Sequence, residues 1–307
     1  MKRIYVSCTE RVIGERYVSD LVLLDLDKNW ILASRPIEIG VDDPTFKVEQ
    51  SGSSYGGRGV CWHRGELVLA IHPCFLHVLD PDTLETRSVR RVDEAKEIHY
   101  IRSHDDVLHL CSTWSNSVVR VDGGRVTSEL VLGDDVRPHV SEHRAQRPDY
   151  QDHLHFNAIA WHPSTGDEYH LYSHPEIIYN WTQREITWKG SQDSKGAHDL
   201  CFLDDQRLVL NSSWERETQI LHLDTGEIEC VYEEPGKTQL PFDVDHAKVG
   251  WLRGLVVNHH NEVMLVTAAP GLLRVLELET WKLVKSMSFS THPFCAPFDI
   301  ALHPEDW

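Results

Sequence analysis

One phrase recurs along this chain about every 40–55 residues, and it constrains the fold more than any other feature. The copies are RGVCWHRGELVLAI (58–71), HYIRSHDDVLHLCS (99–112), HFNAIAWHPSTGDEYHLYS (155–173), HDLCFLDDQRLVLNSS (198–213), RGLVVNHHNEVMLVTA (253–268) and FDIALHPEDW (298–307). Each full copy opens with a short apolar run, a polar turn and a second apolar run. A hairpin and two further runs follow. That is one four-stranded antiparallel unit per period, which predicts an all-β chain folded as a six-bladed β-propeller.

The blades are expected over 58–93, 99–133, 155–190, 198–232 and 253–288. The last blade would join 298–307 to the N-terminal strands within 1–39, so that 1–307 forms a single domain. Closing the ring across the termini removes two exposed sheet edges. Breakers fall where turns are needed: PDT at 81–83, DGG at 122–124, STGD at 164–167 and DTG at 224–226. The segments 134–154 and 233–252 alternate poorly and read as loops. With 40–57 and the hairpins between second and third strands, they decorate one face, where long loops usually carry function.

Charge narrows the partners. Asp and Glu outnumber Lys and Arg by 48 to 30, for a formal charge of −18, which argues against nucleic acid and against an anionic membrane. The 7 cysteines are odd in number, contain no CxxC and fall mostly in or beside expected strands. Small buried thiols in a reduced, cytoplasmic chain are the simpler reading. The start, MKRIYVSCTE, has no apolar stretch of signal-peptide length, and nothing approaches a membrane span. There is no GxSxG elbow, P-loop, GxGxxG or HExxH.

Stacking the innermost strands brings Arg58, His99, Phe156, His198, Arg253 and Phe298 to one level near the channel mouth. Gly59, Tyr100, Asn157, Asp199, Gly254 and Asp299 form the next, with His155 one residue above. His99, His155, His198, Asn157 and Asp199 are thus candidate ligands for a divalent or transition metal ion of unspecified identity. His155, His198, Asp199 and Arg253 are candidate catalytic residues. Arg58 and Arg253 suit an anionic small-molecule substrate through forked hydrogen bonds, with Tyr100, Trp114 and Trp214 as further contacts. The bland alternatives stand beside these. Among 20 histidines some stack by coincidence, Asp or Asn at a strand start often bonds loop backbone, and Trp114 and Trp214 can plug neighbouring blades.

HFNAIAWHPSTGDEYHLYS and AHDLCFLDDQRLVLNSS resemble blade motifs of gluconolactonase and regucalcin-like six-bladed propellers. That resemblance implies a divalent cation held by Asn157 and Asp199, with Arg58 near the place of the family's Glu. A second resemblance covers more of the chain. LHFNAIAW, AHDLCFLDDQRLVLNSS and GWLRGLVVNHHNEVMLVTA look like a group of bacterial propellers with His-x-Asn-Gly-Leu-Ala, Pro-His-Ser-Pro and Pro-Arg-Gly-Leu-Ala copies in that order. His155, Asn157, His198, Arg253 and Gly254 match. It implies the fold and marks these residues without naming a reaction. The expected function is a metal-assisted enzyme (hydrolase, lyase or oxidoreductase) acting on a small anionic substrate. The alternative is a non-catalytic module that uses the decorated loops for a partner.

Overall fold

The computed structural model describes residues 1–10, 18–38, 57–71, 74–131, 136–139, 154–174, 176–190, 196–235, 250–258, 260–267, 271–290 and 295–306. Most of 40–57, 134–154 and 233–252 lies outside them.

Six four-stranded antiparallel sheets make the molecule, a six-bladed β-propeller. The closing blade pairs β24 (Cys295–Leu302) with β1 (Arg3–Glu10), β2 (Val18–Asp25) and β3 (Trp30–Glu38), as the sequence predicts. Blade one is β4 (Gly57–His63), β5 (Glu66–Ile71), β6 (Phe75–Leu79) and β7 (Thr86–Arg91). Blade two is β8 (Ile98–His104), β9 (Val107–Ser112), β10 (Ser117–Asp122) and β11 (Arg125–Leu130). Blade three is β12 (Phe156–Trp161), β13 (Glu168–Ser173), β14 (Glu176–Asn180) and β15 (Glu185–Lys189). Blade four is β16 (Ala197–Phe202), β17 (Arg207–Ser212), β18 (Glu217–His222) and β19 (Ile228–Glu233). Blade five is β20 (Leu252–Val257), β21 (Glu262–Thr267), β22 (Leu272–Glu277) and β23 (Leu283–Ser288). The single described helical turn is Arg137–His139.

Each blade packs both faces against neighbours, so its second strand is buried on both sides and reads as a near-continuous apolar run. In β5, Leu67 to Ile71 are all buried, while the outermost β7 is exposed along almost its whole length. Side-chain hydroxyls at the top of the second strands then fasten one blade to the next. Ser7 donates to the Arg58 carbonyl, Thr113 to that of Phe156, Ser173 to that of Ala197 and Ser213 to that of Leu252.

The innermost strands share one irregularity. Opposite its second strand, each carries a β-bulge near its start, where pairing skips one or two residues. The skipped residues are Arg58 and Gly59, His99, Asn157, His198, Arg253 and Gly254, and Phe298. A bulge re-aims a side chain out of the ladder. Stacking by sequence put Phe156 level with His99 and His198. The register instead makes Asn157 their equivalent, and Phe156 is buried against His170 and Tyr172.

Below the bulges, one cation ties the ring together. Arg102 of β8 donates from Nη1 to Asp299 Oδ2 at 2.9 Å, and from Nη2 to Asp299 Oδ1 at 3.2 Å and Asp199 Oδ2 at 3.4 Å. Asp199 also accepts from the amides of Leu200 and Leu255, each at 2.8 Å, and from the Tyr100 hydroxyl. Asp299 accepts from the amides of Ile300 at 2.8 Å and Val60 at 2.9 Å. Beyond this plug the channel opens into a cavity of about 460 Å³ with apolar walls that include Ile159, Leu200, Leu255 and Ile300. Close approach of the inner strands fixes Gly254, where a Cβ would lie 2.7 Å from Asp299 Cα.

Three outcomes follow for stability. Gly254→Ala should cost about 1–3 kcal/mol in urea unfolding, because backbone must shift to admit the methyl group. Arg102→Met should cost about 3–5 kcal/mol at neutral pH, since it strands two buried carboxylates. Burial, then the Asp299 charge, outweigh Arg102 and push the Asp199 carboxyl from 3.8 up to about 7. Folded Asp199 therefore holds its proton more tightly than unfolded Asp199. Its stabilising contribution is full below pH 3.8 and is lost as pH rises through about 7. Thermal unfolding of wild type and Asp199→Asn across that window should show the gap moving in the variant's favour as pH rises; a constant gap would contradict the shift.

Candidate functional site

The bulges gather a polar group at the channel mouth around the Phe298 ring. The Arg58 guanidinium carbon lies 4.9 Å from the ring centroid, that of Arg253 lies 5.2 Å from it, and the His99 ring meets it edge-on at 5.6 Å. The structure thus brings together Arg58, His99, Asn157, His155, His198 and Arg253. It places Asp199 and Tyr100 one level lower, in the Arg102 plug, where burial raises the Tyr100 hydroxyl well above its usual value. Trp114 is half-buried in the β9–β10 hairpin, in the blade opposite that of Arg253. Trp214 is 57% exposed in the β17–β18 hairpin, next to the blade of Arg253.

Hydrogen bonds fix the orientation of the His99 ring. The Ala197 carbonyl can only accept, so Asn157 turns its Nδ2 to it at 2.7 Å. Asn157 Oδ1 then faces His99 Nδ1 at 3.1 Å and takes its proton as acceptor. His99 Nε2 lies 2.5 Å from Arg58 Nη1 and 3.3 Å from Glu97 Oε1. Both nitrogens of His99 are thus engaged, and its ring positions Arg58. The same Glu97 oxygen lies 3.7 Å from Arg58 Nη2, so Glu97 stands against both residues. Burial lowers the Arg58 pKa, and Glu97 opposes that shift.

His198 is neutral. Its Nδ1 faces the Gly196 carbonyl, which must accept, with Ser213 Oγ 2.7 Å away. The lone pair therefore sits on Nε2. Burial, and after it the Arg253 charge, hold this imidazole well below its ordinary pKa. His155 has a left-handed backbone (φ 53°), and its ring lies 4.8 Å from His99, 5.3 Å from His174 and 6.2 Å from His198.

Arg253 differs from the other buried arginines. Its guanidinium carbon lies 5.0 Å from the Trp251 ring and 5.2 Å from Phe298, and among the described residues no carboxylate or carbonyl accepts from it. Burial first and the like charge of Arg58 second pull its pKa down to about 9, so it remains a cation at neutral pH.

The donor set bears on an ion. Among the described residues, no group of three or more His, Cys, Asp or Glu is placed to hold a metal. Both nitrogens of His99 and both oxygens of Asp199 already have partners. As arranged, His99 and Asp199 are taken up by protein partners and would have to leave them to hold an ion. Sequence reasoning missed Glu97, Arg102, Ser213 and Trp251. Only Arg102 left a signal, as an arginine at a level where the other inner strands carry small or apolar residues. His162 and His303 sit in turns of the opposite face, as their WHP and LHP contexts suggest: His162 Nε2 lies 3.0 Å from the Asp205 carbonyl, and His303 Nδ1 lies 3.1 Å from Arg3 Nη2.

Among the described residues no helix is long and apolar enough to cross a membrane. No family model matches the sequence, and no curated protein matches it. Solved structures do. The chain is similar to the β-propeller domain of Cps50 (Swd1) from Myceliophteria thermophila, at 13% identity and TM-score 0.52, over 96% of this chain and 90% of that one. It is similar to a chain of a nidogen/laminin complex at 10% identity and TM-score 0.60, over 98% of each. A streptogramin B lyase structure matches at 11% identity and TM-score 0.48, over 76% of this chain and 68% of the other. At such identities the first two likenesses establish the propeller fold and nothing about activity.

Proposed function

We propose that the channel mouth binds a small anionic molecule at Arg253, with His198 Nε2 as the nearby proton acceptor. One observation carries the reading: Arg253 is a half-buried cation flanked by aromatic rings, with no counter-carboxylate among the described residues. A buried charge without a partner is costly, and an anionic ligand supplies that partner. Arg58, held by His99 and Glu97, faces the same Phe298 ring and adds a second donor. The likeness of His155, Asn157, His198 and Arg253 to the blade copies of the bacterial propellers singles out the same group.

A neutral imidazole beside a bound anion is suited to taking a proton from it or from a water molecule. The bound negative charge would offset the Arg253 charge and raise the His198 pKa, improving it as a base. His155 lies beside it, the two rings edge to face at 6.2 Å between centroids. No step here runs through a metal. A metal-assisted version would require His99 or Asp199 to leave its present partners.

Titration calorimetry of wild type with acetate, succinate and inorganic phosphate should show saturable binding of at least one. Arg253→Met should weaken that binding about 10–100-fold, the worth of a charge-assisted hydrogen-bonded pair. Equal binding by wild type and variant, or none by wild type, would sink the proposal. His198→Gln separates enzyme from binding module: it should abolish turnover in the enzyme and leave affinity intact in both.

A further inference from the structure

We infer that the ligand of this mouth is an aromatic monocarboxylate, its carboxylate at Arg253 and its ring on Trp214. The inference rests on the anion-site reading and adds the chemical class. Outward from Arg253, aromatic rings form a ladder. The guanidinium of Arg253 lies against Phe298 on one side and Trp251 on the other. Trp251 is stacked on Trp214 at 6.2 Å between centroids, 23° from parallel. His198 completes the corner, tilted at 6.3 Å from Trp251.

Trp214 is a large apolar side chain, 57% exposed, yet it is held in place. Gly196 adopts φ +95°, and a Cβ there would stand 2.1 Å from Trp214 Cδ1. The indole therefore lies directly on the Gly196 backbone, in a space that only glycine leaves open. The same Gly196 carbonyl holds His198 Nδ1. One glycine thus sets both the candidate base and the aromatic shelf beside it. A tryptophan plugged between blades would be buried; this one stays 57% exposed while Gly196 and Trp251 hold its ring, which suits a stacking platform.

Charge selects a monoanion. Of the two guanidinium groups around Phe298, Arg58 has Glu97 beside it at 3.7 Å, and His198 is uncharged. Among the described residues that leaves about one net positive charge, on Arg253, for the ligand to match. A carboxylate fits this better than a doubly charged phosphate, and the neighbouring indole favours a flat ring attached to it.

Calorimetry with three probes tests this: acetate, indole-3-acetate and the neutral indole-3-acetamide. Indole-3-acetate should bind about tenfold more tightly than acetate, the worth of one aromatic contact, and the amide should bind far more weakly than the acid. Trp214→Ala, whose side chain is mostly in solvent, should fold normally by circular dichroism. It should lose the tenfold margin while binding acetate as wild type does. Gly196→Ala should narrow the margin in the same direction. If acetate and indole-3-acetate bind equally, or if Trp214→Ala keeps the margin, the aromatic class is wrong and the anion site stands. If neither acid binds, the aromatic monocarboxylate is wrong, and the anion site falls with it when succinate and inorganic phosphate also fail to bind. Tight binding of the amide would overturn the carboxylate assignment alone.

Discussion

Arg102 is the contact on which the rest of this molecule depends. A propeller brings six inner strands toward one axis, and their exposed inner edges need something to hold them at a common distance. Here a single guanidinium from blade two reaches Asp199 of blade four and Asp299 of blade six. Each carboxylate then takes the amide of the following blade, Leu255 in blade five and Val60 in blade one. Asn157 brings in blade three through the Ala197 carbonyl of blade four and His99 of blade two. All six blades are thus joined by charge-assisted or amide hydrogen bonds at their narrowest point, where low dielectric strengthens each one. Isolated buried ion pairs are weak evidence for stability. This one differs because its geometry spans the ring, so breaking it leaves charge stranded in three blades.

That plug also defines the site above it. With Asp199 and Asp299 committed downward to Arg102 and backbone amides, Glu97 is the carboxylate left beside the two arginines of the mouth among the described residues. A chain of net charge −18 thus sets two guanidinium groups, Arg58 and Arg253, around one ring at its channel mouth. Such a separation of local from global charge lets a pocket select anions that the surface as a whole repels.

The fold was legible because blade structure is written in short-range pattern. Runs such as ELVLAI and RLVLNS, between breakers, announce doubly buried strands, and the N-terminal runs lacked only an inner strand, which FDIALHP supplied. The site was legible in part. Repeat alignment found Arg58, His99, His198 and Arg253 because each opens its copy. It misplaced blade three by one residue, since a bulge inserts its extra residue without altering composition, and pattern alone could not tell whether Phe156 or Asn157 was the insert. Partnerships were less visible still. That Asp199 faces Arg102 rather than an ion depends on a cross-ring distance with no local signature. Arg102 did leave a trace: at the register opposite the second strand where it sits, the other blades carry Cys61, Ala160, Cys201, Val256 and Ala301. One arginine among five small or apolar residues at the axis is a mark of ring-spanning pairing.

Arg102 and Arg253 show how one residue type serves two ends a few residues apart along the same channel. Both are arginines on inner strands, and both lie against an aromatic ring, Arg102 on Tyr100 at 3.8 Å and Arg253 on Trp251 at 5.0 Å. What separates them is the neighbouring acid. With two carboxylates beside it, Arg102 has its pKa raised well above normal despite burial, so its charge is locked in place. Arg253 has only burial and a like charge, and its pKa falls. The first state is at an electrostatic minimum and gains nothing from a ligand. The second is held above its minimum by the folding of the whole ring, and any anion that reaches it recovers the difference. A structural arginine and the binding arginine proposed here are told apart by whether the fold has already supplied the counter-charge, and among the described residues Arg253 has no such carboxylate.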